Sequence, residues 1–129
     1  RPNSVNMDVE VGAFQDAFGD VHSGAVKFWV PKYPGWDNWE YIVYDLNAEY
    51  ESLEFTVVAG RDNCASGETY ILIYADDQLI YESIWIGNQT PPIKESIDVT
   101  NVNSLKIKCV TETPDSCYCL FEGFLYEDG

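Results

Sequence analysis

Aromatic side chains occur in this sequence at positions where the core of a small domain does not need them. Trp36 and Trp39 stand in the segment YPGWDNWE, among the Gly, Pro, Asp and Asn residues typical of a turn. Trp29 and Trp85 stand in apolar runs, on the side opposite to the neighbouring Val, Phe and Ile residues. Because an exposed ring leaves apolar area in water, several such rings in one domain indicate a binding surface.

A neutral sugar ring suits such a surface, since its C–H face stacks on Trp or Tyr and its hydroxyls bind polar side chains. The predicted carbohydrate-binding residues are these rings and the polar residues near them: Trp36, Trp39, Asp37, Asn38, Tyr33, Arg61, Trp29 and Trp85. Each Trp also has a structural interpretation, in which a partly buried ring seals the end of the core. The same residues allow a second hypothesis, a protein-interaction or adhesion module of a cell surface without a sugar ligand.

Catalytic patterns are weak in this chain. Nucleophilic mechanisms of the Ser-His-Asp or Cys-His type require a histidine base, and His22 in the loop-like segment GDVHSG is the only histidine. The sequence contains no G-x-S-x-G, no pair of metal-ligating histidines and no phosphate-binding glycine loop. Among the many carboxylates no pair is marked as a glycosidase pair. We therefore predict a protein that is not an enzyme.

The charge balance narrows the range of partners. Seven Lys and Arg residues against 22 Asp and Glu give a formal net charge of −15. This charge argues against nucleic acid, which requires a basic surface, and against anionic membranes. It is compatible with calcium, which binds carboxylate and carbonyl oxygens of loops. Asp16, Asp20 and Asp62 are the candidate ligands of a structural calcium ion.

Four cysteines in a small domain favour a secreted protein with up to two disulfides. They are Cys64, Cys109, Cys117 and Cys119. Cys117 and Cys119 are two apart on a predicted strand and are poorly placed to bond to each other. One pairing joins Cys109 to Cys117 and Cys64 to Cys119; buried thiols are the alternative. The spacing is unlike that of a zinc site.

Strand-like segments account for most of the chain. Runs of β-branched and aromatic residues alternate with clusters of Gly, Asn, Asp and Pro, a pattern typical of an all-β sandwich. The predicted strands are 25–30, 40–46, 52–60, 69–76, 78–87, 95–100, 104–110 and 117–127. The segment VGAFQDAF is the one weak candidate for a helix, and Asp76-Asp77 is a predicted hairpin turn. About eight strands predict an antiparallel, jelly-roll-like β-sandwich.

The length suits one domain covering residues 1–129. No run of apolar residues is long enough to span a bilayer. The chain begins Arg1-Pro2 without an initiator Met or a signal-peptide pattern. We expect a monomeric module taken from a larger secreted or cell-surface protein and accompanied there by other modules.

Four motifs follow one another in a fixed order. They are Tyr44-Asp45-Leu46, Phe55 through Gly60 to Asp62, the hairpin from Ile73 to Ser83, and Asp98-Val99 followed by Leu105 and Ile107. In this order and spacing they resemble the NPCBM family, also classed as carbohydrate-binding module family 51. The sequence departs from the family pattern in PGWDNWE, which lacks the family's histidine, and in DSCYCLFEG, which carries cysteines instead of a D-x-x-D-W-like segment.

The resemblance implies a shared β-sandwich and a function. It implies a non-catalytic module attached to a secreted, mostly bacterial, glycan-active enzyme or surface protein. Galactose-containing glycans are the implied ligands, with a plant polysaccharide as another possibility, and a bound calcium ion is often present in the family.

Overall fold

The computed structural model describes the backbone of residues 2–5 and both backbone and side chains of 9–30, 38–112 and 117–127. These residues form ten strands: β1 Pro2–Val5, β2 Glu10–Gln15, β3 Val21–Val30, β4 Trp39–Asp45, β5 Tyr50–Ala59, β6 Thr69–Ala75, β7 Gln78–Glu82, β8 Ile93–Asp98, β9 Ser104–Thr111 and β10 Cys117–Glu127. Among the described residues, no helix is long and apolar enough to span a lipid bilayer.

Two five-stranded antiparallel sheets make up the fold, which confirms the predicted β-sandwich. The first sheet has the order β1-β4-β9-β6-β7, and the second has the order β2-β3-β10-β5-β8. β9 and β10 are therefore the central strands of the two sheets. The eight predicted strands correspond to β3 through β10.

The weak helix prediction for VGAFQDAF is wrong. Most of this segment belongs to β2, which pairs antiparallel with β3 in a register that sets Val11 opposite Val26. A weak local preference is overridden when a neighbouring strand offers a full set of backbone hydrogen bonds. β2 is consequently an edge strand of the second sheet.

The core lies between the sheets and follows the alternation of each strand. β3 buries Val26, Phe28 and Val30, and β10 buries Phe121 on the same inner face. The first sheet contributes inward residues that are equally inaccessible, among them Ile42, Ile71, Ile73, Leu105 and Ile107. Each such side chain stabilises the fold by about 1.5–3 kcal/mol relative to exposure.

The predicted hairpin turn joins β6 to β7. Asp76 and Asp77 have φ angles of 47° and 69°, as a two-residue turn with positive φ at both positions requires. The Asp76 carboxylate accepts hydrogen bonds from the backbone N–H groups of Asn103 and Ser104, the shortest at 2.9 Å. This turn therefore also anchors the start of β9.

The turn after β2 folds across the outer face of the second sheet. Ala17 N donates to Ala59 O at 2.9 Å, and Arg61 N donates to Gln15 O at 3.1 Å. Because β3 and β10 lie between β2 and β5 in the sheet, these bonds carry residues 13–20 over both strands. We call this segment the strap. It explains why Leu120, whose side chain points outward from β10, is only 1% exposed.

Several connections meet at one end of the sandwich. β3 ends there and β4 begins there, as the pairings of Val30 with Cys117 and of Trp39 with Val110 show. The connection 60–68 after β5 and the connection 83–92 after β7 reach the same end. We call this end the loop rim.

Candidate functional site

Two aromatic rings are stacked on the outer face of the second sheet beside the loop rim. Trp29 on β3 pairs directly with Tyr118 on β10. Their ring centroids are 5.7 Å apart and their planes differ by 5°. The backbone N–H of Trp29 donates to Glu40 Oε1 at 3.1 Å, which holds this end of β3 in place. In the described structure, Trp29 Nε1 is a buried donor that makes no hydrogen bond.

Lys27 adds a positive charge to this aromatic surface. Its Nζ lies 5.0 Å from the ring centroid of Tyr118 and 5.2 Å from that of Phe14 in the strap. Both distances are within the range of cation–π attraction. The alternation of β3 positions Lys27 on the same outer face as Trp29, so the strand itself brings the ammonium group to the rings.

A small pocket opens between the strap and these side chains. Its volume is about 100 Å³, and we call it the strap pocket; its lining residues are Phe14, Gln15, Lys27, Gly60, Arg61, Asp62, Tyr118 and Leu120. The Arg61 guanidinium donates a hydrogen bond to Gln15 Oε1. The pocket therefore combines an apolar wall with a guanidinium, an ammonium, a carboxylate and an amide, the mixture that small-ligand sites require.

Tyr118 presents a protonated hydroxyl at neutral pH. Burial raises the pKa of its hydroxyl above the ordinary value of 10, and the nearby carboxylates of Asp62 and Glu10 raise it further. A protonated phenol both donates and accepts hydrogen bonds. Tyr118 is therefore suited to contact a neutral polar ligand.

The connection that carries Arg61 and Asp62 is fixed from inside. Asn63 is buried, its Nδ2 donates to Gly67 O and to Asn88 Oδ1, both at 2.9 Å, and its Oδ1 accepts from Tyr118 N at 2.9 Å. One amide side chain thus ties this connection to β10 and to the connection 83–92. Arg61 and Tyr118 are held in a constant relation by this network.

The predicted sugar-binding residues divide between two surfaces. Trp29 and Arg61 are at the strap pocket or in contact with its lining. Trp39 and Trp85 lie on the first sheet side instead: Trp39 packs against Tyr41 with centroids 5.9 Å apart, and Trp85 meets the edge of Tyr70 at 4.8 Å.

The first sheet has a second aromatic surface, formed by Trp39 and Tyr41, and two lysines contact it. Lys108 Nζ lies 4.5 Å from the Trp39 ring, and Lys106 Nζ lies 4.8 Å from the Tyr41 ring.

β7 ends at Glu82, so the alternation that was expected to set Trp85 opposite Ile84 does not continue that far. Trp85 is 42% exposed and Ile84 is 67% exposed.

Asn38 has a structural role in the described chain. Its side-chain Nδ2 donates to Thr111 O at 2.8 Å, and its backbone carbonyl oxygen accepts from Thr111 N at 2.9 Å. These bonds extend the pairing of β4 with β9. The other predicted residues of this segment, Tyr33, Trp36 and Asp37, lie outside the described residues, and their assignment stays a prediction.

His22 is placed between two carboxylates. Its Nε2 lies 2.7 Å from Asp16 Oδ2, and its Nδ1 lies 2.9 Å from Glu122 Oε1. Burial alone would lower the pKa of His22, but the hydrogen bonds to Asp16 and Glu122 raise it above 6.5. The imidazolium form donates from both nitrogens. His22 therefore pins the strap to β10.

Asp16, one of the three predicted calcium ligands, is already engaged by donors. Its Oδ1 accepts from Phe18 N at 2.8 Å and from Asp20 N at 3.0 Å, while Oδ2 faces His22. A carboxylate so enclosed does not fit a calcium ligand, because the N–H groups occupy the positions that the cation needs. Asp20 and Asp62 are exposed. Within the described residues no cluster of acidic, His or Cys side chains suits a metal ion, and calcium binding stays a prediction.

The four cysteines are thiols in the structure, and all of them lie among the described residues. Burial and the neighbouring Cys119 thiol raise the pKa of the Cys109 thiol, whereas Cys64 and Cys117 both lie against Gly67. These contacts differ from the predicted pairing of Cys109 with Cys117 and of Cys64 with Cys119.

Among the lining residues that offer a ring or a polar side chain, four escaped the sequence reasoning: Phe14, Gln15, Lys27 and Tyr118. A signal was present for two of them, because strand alternation sets Lys27 beside Trp29 and turns Tyr118 away from Cys117 and Cys119. Nothing local indicated Phe14 and Gln15, since their place depends on the strap crossing the sheet.

A larger cavity of about 280 Å³ lies between the sheets, away from the loop rim. Its lining is nearly all apolar: Val11, Gly24, Val26, Tyr44, Leu53, Leu105, Ile107, Phe121, Gly123 and Leu125. Tyr44 is the only side chain in this lining that can hydrogen-bond. Such a cavity offers few partners for the hydroxyls of a sugar, and the strap pocket is the better polar site.

Solved structures share this fold over nearly the whole chain. Similarity is high to the CBM51-2 and INT domains of Clostridium perfringens ZmpB, with a TM-score of 0.76, 14% identity, and coverage of 98% of this chain and 30% of that one. The same module in complex with GlcNAc has a TM-score of 0.69 and 14% identity, with coverage of 97% of this chain and 30% of that one. The CBM51 of C. perfringens GH95 in complex with methyl-galactose has a TM-score of 0.69 and 14% identity, with coverage of 97% of this chain and 94% of that one.

The chain thus spans about a third of the length of the first of these relatives. At this identity the likeness shows the fold. No curated protein sequence matches the chain.

A family comparison at the level of sequence agrees with the fold. The model of the NPCBM/NEW2 domain matches residues 39–118. This range includes Arg61, Asp62 and Tyr118 of the strap pocket and leaves out the strap itself. It is more than half of the chain and confirms the resemblance recognised from the four motifs: the protein belongs to the NPCBM/NEW2 domain family.

Proposed function

We propose that this chain is a non-catalytic carbohydrate-binding module that binds a sugar residue at the strap pocket. The observation that carries the proposal is the convergence of the Trp29–Tyr118 pair with Arg61, Asp62 and Lys27 around one opening. A sugar needs an apolar surface for its C–H face and polar groups for its hydroxyls, and this opening supplies both.

The size of the pocket points to a single sugar residue. About 100 Å³ is below the roughly 300 Å³ at which pockets for drug-sized ligands begin. A terminal sugar inserts one edge between the strap and Tyr118, and its apolar face rests against the rings. Galactose and N-acetylglucosamine are the first candidates, because related modules are known in complex with methyl-galactose and with GlcNAc.

Hydroxyl selection follows from the charges at the opening. The Arg61 guanidinium donates hydrogen bonds in a rigid fork, and the Asp62 carboxylate accepts them. Adjacent sugar hydroxyls, which both donate and accept, bind such a pair. A net charge of −15 repels polyanions at long range, which favours a neutral glycan.

The biological role is to concentrate an attached protein on a glycan. A shallow site for one sugar binds weakly, and several weak sites on one polypeptide increase the overall affinity through effective concentration. Related modules come from larger proteins, one of them named as a GH95 protein. The chain is accordingly proposed to be part of a secreted bacterial glycan-active enzyme or surface protein, to which it contributes binding and no turnover.

The experiment is a glycan array with the isolated 129-residue chain, followed by titration calorimetry with the sugars it retains. Arg61→Ala is expected to lower the affinity by about tenfold to a hundredfold, since a hydrogen bond from a charged donor is worth about 1.5–3 kcal/mol. Lys106→Ala is the matched control, because it removes one positive charge from the first sheet and should leave binding unchanged.

Different outcomes would separate the alternatives. Binding lost in Lys106→Ala and retained in Arg61→Ala would move the site to the aromatic surface of Trp39 and Tyr41. An array without any retained glycan, together with a specific protein partner, would support the adhesion hypothesis instead. Release of free sugar from a retained glycan would contradict the non-catalytic role.

A further inference from the structure

Two cysteines face each other between the sheets. Cys109 on β9 and Cys119 on β10 are both fully buried. Both belong to one buried core cluster, and each faces inward from the central strand of its own sheet. The Cys119 thiol is also near enough to raise the pKa of the Cys109 thiol. Two inward thiols placed in this way are candidates for a disulfide across the middle of the sandwich.

The other two cysteines meet beneath the connection 60–68. A Cβ atom placed on Gly67 would lie 2.6 Å from Cys64 Sγ and 2.9 Å from Cys117 Sγ. Because both sulfurs lie so near to one point, they are less than about 6 Å apart. This proximity makes Cys64 and Cys117 candidates for a disulfide, which would form by rotation about their Cα–Cβ bonds. Thr111 Oγ1 lies 3.4 Å from Cys117 Sγ and borders the pair.

We propose that the module forms two disulfides, Cys64–Cys117 and Cys109–Cys119, when it folds in an oxidising environment. One bond joins the central strands of the two sheets, and the other joins the connection 60–68 to the first residue of β10. The inference is independent of the sugar site and holds whether or not a glycan binds.

The chemistry requires an oxidant, which we assign to the class of small-molecule or protein disulfides. One cysteine thiolate attacks the oxidant disulfide and releases one thiol of it. The second cysteine thiolate then attacks this mixed disulfide and releases the other thiol. For each protein disulfide, two protons leave the cysteines and two electrons reduce one oxidant disulfide to two thiols.

The timing of oxidation follows from burial. Burial raises the pKa of the Cys109 thiol well above its ordinary value, and the neighbouring Cys119 raises it further. The folded interior therefore holds little of the thiolate that reacts, and the same packing keeps oxidants out. The bond between the sheets forms during folding, before the sandwich closes.

The two bonds have a consequence for the candidate site. Tyr118 stands between Cys117 and Cys119, so both of its neighbours in β10 become covalently fixed. Its ring points to the opposite face from the two sulfurs, towards Trp29. Oxidation would thus make the Trp29–Tyr118 pair more rigid without adding any contact to the strap pocket.

The test is refolding of the chain in a buffer of reduced and oxidised glutathione. The intact mass should fall by the mass of four hydrogen atoms, and thiol titration of the denatured product should find no thiol. Digestion with trypsin, a Glu-specific protease and chymotrypsin separates all four cysteines, because chymotrypsin cleaves after Tyr118. Linked peptides should join Cys64 to Cys117 and Cys109 to Cys119. Four titratable thiols after refolding, or peptides that link Cys109 to Cys117, would overturn the proposal.

Paired variants give a second readout. The double variant Cys64→Ala/Cys117→Ala should retain one disulfide and no thiol. The mismatched double variant Cys64→Ala/Cys119→Ala should keep two thiols under the same conditions, and a disulfide in it would count against the pairing. The oxidised wild-type chain should melt on the order of 10 °C above the reduced chain, as two cross-links constrain the unfolded state. Equal melting temperatures of the oxidised and reduced chains would show that the disulfides do not stabilise the fold, even where they form.

Discussion

Trp29 and Tyr118 occupy directly paired positions on β3 and β10, with their ring planes 5° apart and their centroids 5.7 Å apart. Tyr118 also lines the strap pocket with Arg61 and Asp62. One ring thus connects the aromatic pair to the polar groups, and the two halves of a sugar site depend on the same strand pairing.

Replacing Trp29 by Ala should weaken sugar binding about tenfold. The indole supports the Tyr118 ring and supplies apolar area, and aromatic pairing contributes about 0.5–1.5 kcal/mol beyond the area that it buries. Titration calorimetry with the sugar selected on the array measures the change. Trp85→Ala removes an indole from the other surface and should bind like the wild type; equal losses in both variants would count against the strap pocket.

Replacing Tyr118 by Phe should separate packing from hydrogen bonding. Phe retains the ring beside Trp29 and removes only the hydroxyl, so the melting temperature should remain within a few degrees of the wild type. Affinity should fall about threefold to tenfold, in line with the roughly 0.5–1.5 kcal/mol of a neutral hydrogen bond. Unchanged affinity in this variant would show that the sugar does not contact the Tyr118 hydroxyl.

Gly60 sets the distance between the connection 60–68 and β10. A Cβ atom at this position would lie 3.0 Å from Tyr118 Cβ, closer than ordinary packing allows. Gly60→Ala should therefore lower the free energy of unfolding by about 1–3 kcal/mol, the usual cost of overpacking, and should displace the Tyr118 ring. Chemical denaturation and sugar titration measure the two effects.

Gly87→Ala is the matched control for this change. Its added Cβ would find its nearest neighbour, Glu68 Cγ, at 3.5 Å, an ordinary contact. The control should leave stability and affinity near the wild-type values. A control as damaging as Gly60→Ala would contradict the close approach of Gly60 and Tyr118 as the cause.

The contacts of His22 with Asp16 and Glu122, which pin the strap to β10, predict that the stability of the fold depends on pH. The folded pKa of His22 is raised above 6.5, because its hydrogen bonds to Asp16 and Glu122 outweigh burial. The contribution of the imidazolium is therefore complete below pH 6.5 and is lost as pH rises through the folded pKa. His22→Gln should cost about 1 kcal/mol at pH 5.5, with allowance for solvent screening, and less at pH 8.5. Urea denaturation at both pH values measures the difference, and a cost that grows with pH would contradict the pin.

Asp16 predicts the opposite pH dependence: its contribution to stability should be lost as pH falls. Burial alone would raise its pKa, but hydrogen bonds from His22 and from the backbone N–H groups of Asp20 and Phe18 lower it below 3.8. Its contribution is present above pH 3.8 and is lost as pH falls through the folded pKa. Asp16→Asn should therefore lower stability at pH 6 more than at pH 2, and an equal loss at both would contradict the ionised carboxylate.

Much of the fold could be predicted because side-chain alternation is a local property. Val26, Phe28 and Val30 alternate with Lys27 and Trp29, and this pattern alone sets the inner and outer faces of β3. The Asp76-Asp77 turn was likewise recognisable from residue type. β2 was not, because its pairing with β3 outweighs the weak preference of the segment itself.

The candidate site could be predicted only in part. Trp29 stood out because it is an aromatic residue on the outer face of its strand, and Arg61 because it follows a strand in a polar cluster. The hydrogen bonds of Arg61 to Gln15 join residues far apart in sequence, and no local pattern encodes them. The division of Trp29 and Trp39 between two surfaces has the same origin, since it follows from sheet order.

The most direct test of the sugar site is a series of ¹H–¹⁵N correlation spectra of the labelled chain during titration with methyl-galactoside or N-acetylglucosamine. We expect saturable shifts of the backbone amides of Lys27, Trp29, Arg61 and Tyr118, with one dissociation constant for all of them. Spectra that no sugar changes, or shifts confined to Trp39, Tyr41 and Trp85 on the other surface, would rule out a sugar site at the strap pocket.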